Sequence, residues 1–96
     1  MEERICVVRR WLESEVGTQF VLQYDILVDL APLPGGGELE LFGVAVRNMQ
    51  TGEETGVPAI FLHMEEAEAL VEKLAAGAVT PCTMRDVVED YIVAAG

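Results

Sequence analysis

The sequence predicts an α+β domain: a four-stranded antiparallel sheet followed by two C-terminal helices packed on one of its faces. Three observations predict it. Residues 19 to 30 alternate with period two, Phe20, Leu22, Tyr24, Ile26, Val28 and Leu30 against Val21, Gln23, Asp25, Leu27 and Asp29, which is the pattern of a strand with one packed face. After His63 the apolar period lengthens to that of a helix. The links between the strands are short and rich in turn residues, too short for parallel crossovers. Strands first and helices afterwards is the α+β order.

The elements follow in turn. Residues 4–12, with Ile5, Val7, Val8 and Trp11, favour a first strand, and Gly17 supplies the turn after it. The second strand covers 19–30 and ends at Pro32-Leu33-Pro34-Gly35-Gly36-Gly37, which cannot continue a ladder. The third covers 38–49, with Phe42, Val44 and Val46 on one face. Gly43 within it marks a weak point, a bulge or a close backbone approach. Asn48 to Gly52 is turn chemistry, so a hairpin leads to a fourth strand at 57–62. Pro58 places that strand on an edge or itself at the strand's start. The first helix spans 64–77 with the stripe Ala67, Leu70, Val71, Leu74 and Ala78, acids at Glu65, Glu66 and Glu68, and a stop at Gly77. Thr80-Pro81 opens the second, 81–94, with the stripe Met84, Val87, Val88, Tyr91 and Ile92. Arg85 and Glu89 are spaced to pair on its exposed side. No repeat or second domain interrupts residues 1–96.

Residues Thr80-Pro81-Cys82-Thr83-Met84-Arg85-Asp86-Val87-Val88-Glu89-Asp90-Tyr91-Ile92 resemble the closing segment of a family of small uncharacterised proteins from clostridia and related Firmicutes. There a Ser-Pro type pair precedes an Arg-Asp-Val-Val-Glu-Asp-Phe type helix. Phe42-Gly43-Val44 is similar to the family's aromatic-Gly-hydrophobic strand, and the Glu-rich helix after the last strand matches as well. The likeness spans residues 20 to 93, and Pro34-Gly35-Gly36-Gly37 departs from it as an insertion. The family is a domain of unknown function, so the resemblance implies no chemistry.

Composition narrows the function classes. The chain has 96 residues, 51% of them hydrophobic, which is too apolar for disorder. Seventeen acidic side chains against six basic ones leave a net charge of −11, which opposes direct binding to nucleic acid or to anionic membranes. No run reaches the roughly 20 apolar residues of a membrane span. Met1-Glu2-Glu3-Arg4 has no long apolar run behind it, so no signal peptide is expected and the expected location is cytoplasmic. Cys6 and Cys82 imply no disulfide framework.

No motif for catalysis, cofactor or metal stands out, and none is expected. His63 is the lone histidine; as a general base it needs a nucleophile or substrate proton within about 3 Å, and no motif supplies one. It reads as a boundary or capping residue. Glu65, Glu66, Glu68 and Glu72, with Asp86, Glu89 and Asp90, lack the alternation of a calcium loop and read as solvated helix faces. Gly35-Gly36-Gly37 is followed by Glu38-Leu39-Glu40 rather than by the Lys and Ser or Thr of a phosphate loop, and reads as a linker.

Size and hydrophobicity then conflict. A domain this small leaves much of its surface exposed, and helices on one sheet face leave the other showing Val8, Val21, Leu27, Leu39 and Leu41. Trp11, beside Arg9 and Arg10, is the anchor candidate. The expected function is a non-enzymatic interaction module that forms a homodimer through this face or an edge strand. The alternative is an acidic decoy or adaptor that binds a basic protein, and a small enzyme using His63 ranks last.

Overall fold

The computed structural model describes residues 2–95. Four strands, β1 (Glu2–Glu13), β2 (Gln19–Pro32), β3 (Glu38–Asn48) and β4 (Glu54–Phe61), are followed by helices α1 (Met64–Ala76) and α2 (Pro81–Ala95). The strands form one antiparallel meander in the order β1-β2-β3-β4. The expected α+β arrangement is therefore the observed one. β4 begins at Glu54, earlier than the turn-like Glu-Glu-Thr-Gly run suggests, because Glu54 to Val57 pair with Arg47 to Val44.

Alternation sorts the side chains onto two faces. Leu22, Tyr24, Ile26 and Val28 of β2 and Phe42, Val44 and Val46 of β3 pack under Ala67, Leu70, Val71, Leu74, Ala75, Met84 and Val88 of the helices. Register shifts between Cys6 and Val8, where Val7 is the extra residue. A bulge of this kind exchanges the faces on either side of it. Val8 therefore pairs with Tyr24 and packs against the core, instead of standing on the uncovered face.

A larger irregularity lies in β4. Phe42 pairs with Phe61 and Val44 with Val57, so Gly43 alone faces Pro58, Ala59 and Ile60. The bulge passes so close that a Cβ on Gly43 would overlap Val57 O and lie 2.6 Å from Pro58 Cα. Ala59 adopts φ 57° within it. Gly43 is thus the close backbone approach, and Pro58 sits in the bulge of an edge strand.

Two side chains fasten the helices to the sheet. Arg10 Nη1 donates to Ala75 O at 2.6 Å and to Ala76 O at 3.2 Å, placing a cation at the C-terminal end of α1, where it complements the helix dipole. Tyr24 Oη donates to Val79 O at 2.9 Å in the connection to α2. Gly77 caps α1 and Ala78 takes the left-handed conformation, φ 50°. Phe61 and Tyr91 meet edge to face at 6.5 Å, and Lys73 Nζ lies 5.5 Å from the Tyr91 ring centre, joining β4, α1 and α2.

Burial pushes the Tyr24 hydroxyl up to about 12, against the opposing pull of the Arg10 guanidinium. An unfolded tyrosine ionises near 10. Below that pH both states hold the proton; above it the unfolded chain loses the proton first, so stability falls as pH rises toward 12. The expected slope is at most about 1.4 kcal/mol per pH unit, and Tyr24→Phe should remove it in urea titrations at pH 9 to 11. Gly43→Ala is expected to destabilise by about 3 kcal/mol or more, because the obstructing atoms are backbone; thermal unfolding measures it.

The uncovered sheet face as candidate site

The sheet face away from the helices holds the molecule's most unusual chemistry. Cross-strand pairing arranges it in rows: Trp11 with Val21; Arg9 with Gln23, Arg47 and Glu54; Cys6 with Asp25, Ala45 and Gly56; Arg4 with Leu27 and Gly43. No helix covers these rows, yet Asp25 is only 1% exposed and Gln23, Leu27 and Ala45 are also buried. The protein closes this face with its own long side chains.

A polar network runs over it. Arg9 Nε donates to Gln23 Oε1 at 2.9 Å, and Gln23 Nε2 donates to Asp25 Oδ1 at 3.0 Å. Arg4 Nε lies 3.5 Å from Asp25 Oδ2, and the same guanidinium pairs with Glu54, which Arg47 approaches at 3.4 Å. Arg4 on β1 thereby reaches β4, so the two edges curl toward each other over the face. The buried carboxylate keeps partners on both oxygens, as a charge out of water requires. Small residues make the curl possible. A Cβ on Gly56 would stand 3.3 Å from Leu27 Cδ1 and 3.6 Å from Ala45 Cβ, so Leu27 lies in a trough that only Ala and Gly leave open.

The six side chains read as an exposed interface are therefore not brought together. Val8 is on the core side and Leu27 is buried beneath the network. Val21 and Leu41 are half-buried. Trp11, 75% exposed, stands at one end of the face and Leu39 toward the other, near the β2–β3 loop. Arg9, Arg10 and Trp11 do not act as one basic-aromatic cluster, because Arg10 points to α1 while the others share the open face.

A second feature lies at the sheet's edge. Gly56, Val57 and Pro58 of β4 and Arg85, Val88, Glu89 and Ile92 of α2 line a groove of about 310 Å³. Arg85 and Glu89, spaced to pair, form no ion pair with each other or with any other described residue.

This chain is a member of a family of unknown function, DUF6514. The family model matches residues 3–94, which include both strand edges, the polar network and both helices. Nothing matches among curated proteins or among solved structures. In this family member His63 occupies the N-cap position of α1 in extended conformation without a side-chain cap bond. Cys6 and Cys82 are free and exposed. Among the described residues no three His, Cys, Asp or Glu side chains group as metal ligands, and no helix is long and apolar enough to cross a membrane.

In the sequence the polar network shows only as Gln23 and Asp25 on the alternate face of β2, with nothing to mark Arg4, Arg9 and Glu54 as its other members. Asp25→Ala should lower stability by about 3 kcal/mol, since it strands Arg4 and Gln23 without their acceptor. Asp25→Asn, which preserves an acceptor oxygen, should cost less; urea unfolding followed by circular dichroism separates the two.

Proposed function

We propose that this chain is a non-enzymatic protein-interaction module that self-associates, a second copy lying along the β4 edge and α2 about a two-fold axis. The carrying observation is the groove beside a free sheet edge, with an unpaired cation and anion on the same helix. β4 ends the sheet, so Glu54 to Val57 offer backbone groups to another strand until Pro58 and the bulge stop the ladder. The ladder is short, which leaves α2 to supply much of the contact. Val88 and Ile92 line the groove, and Ile92 is exposed.

Charge fits the same arrangement. With the two-fold axis perpendicular to the helices, the two α2 helices run antiparallel and the Arg85 of each copy can meet the Glu89 of the other. A two-fold contact requires this kind of self-complementarity. The uncovered sheet face supports the reading less, because its middle is occupied by the Arg4–Asp25–Gln23 network.

Sedimentation velocity of the full chain should give a mass of two copies. Arg85→Glu and Glu89→Arg should each weaken association roughly tenfold or more through like-charge contacts. The double variant should restore the dimer. A chain that stays monomeric at every concentration overturns the reading, and so does a dimer that both single reversals leave unchanged.

A further inference from the structure

We infer that the Trp11 end of the uncovered face binds a cationic segment of another protein, the indole receiving an arginine or lysine side chain. The surface is separate from the β4 edge, and the inference does not depend on self-association.

Trp11 pairs with Val21 across β1 and β2, and Met49, the first residue beyond β3, donates its N–H to Val21 O at 2.9 Å. Three apolar positions thus lie in a row from β1 through β2 to the turn after β3, with Trp11 and Met49 exposed. The indole contributes nothing to the core cluster, so the fold gives no reason for so large an aromatic at this place. An open indole face attracts cations, and a thioether is an adaptable neighbour for a long side chain.

The rim is acidic. Glu13 follows Trp11 on the same face of β1, and Glu15 lies in the β1–β2 turn beyond it. Both are exposed, and neither joins an ion pair among the described residues. The neighbouring cations are engaged elsewhere. Arg9 holds Gln23 through Nε, Arg10 caps α1 from the opposite face, and Arg47 is drawn to Glu54. Arg10 and Arg47 are thus drawn away from the indole, Arg9 meets only a neutral amide, and the Glu13 and Glu15 carboxylates are exposed. A chain at −11 also steers cationic partners from a distance. The same charge repels nucleic acid, and in the proposed self-association Arg85 of a second copy faces Glu89 rather than this rim.

The chain's only tryptophan is Trp11, so its emission reports directly on the site. Titration of the full chain with an octa-arginine peptide should give a saturable change in that emission, and an octa-glutamate peptide none. Glu13→Gln combined with Glu15→Gln should weaken the interaction about tenfold. Glu65→Gln combined with Glu66→Gln on α1, which removes the same charge far from the site, should change it much less. Trp11→Ala, followed by calorimetry, should also lose about tenfold, the scale of one cation–π contact. No saturable change, or equal weakening by the two glutamine pairs, overturns the inference.

Discussion

A carboxylate held out of water on the face that the helices leave bare is the constraint around which this sheet is built. Asp25 sits in the middle of β2, and burying its charge demands donors on every free lone pair. Gln23 supplies one from the same strand and Arg4 another from β1, and Arg4 continues to Glu54 on β4. One acid thereby links all the strands through side chains, with Arg47 completing the chain on β3. The sheet must curl for these groups to meet. Ala45 and Gly56 allow it because they leave room for Leu27 to lie flat between the strands.

The two faces are consequently closed by different chemistry. Under the helices, area burial by Leu, Val, Ile and Tyr dominates. On the other side, ion pairs and amides do the covering, with a single leucine at their centre. This division consumes cations. Four of the six basic residues, Arg4, Arg9, Arg10 and Arg47, bind the protein's own acceptors. What remains outward is chiefly carboxylate, so the strong negative field of the surface is partly a by-product of how the sheet is sealed.

The meander and the two helices were legible because each rests on a local period, two in β2 and close to four in α1 and α2. What the sequence did not reveal depended on contacts distant in the chain. Val8 falls on the core side because of one extra residue at Val7, and nothing in an unbroken run of β-formers marks that bulge. Leu27 is buried by the smallness of Ala45 and Gly56, which belong to other strands. The Gly43 irregularity was visible as a glycine inside a strand, while its cause, three residues of β4 crossing one of β3, was not. Arg85 and Glu89 were spaced correctly for a pair that does not form within the chain. Trp11 was singled out by residue type alone, and it stands exposed at the end of the open face.

The order of elements also has a meaning during synthesis. The sheet is complete by Phe61, whereas its apolar face is covered only by α1 and α2, the last segments in the chain. A ribosome that has released the meander still holds its cover inside the exit tunnel. For that interval Leu22, Tyr24, Ile26, Val44 and Val46 have no partner layer, and nascent intermediates with such surface are prone to aggregate. Arg10 and Tyr24, whose acceptors are the carbonyls of Ala75, Ala76 and Val79, remain unsatisfied until the end of α1 arrives. Burial of that face therefore waits on α1 and α2, and the meander without them presents an open apolar sheet rather than a smaller folded domain.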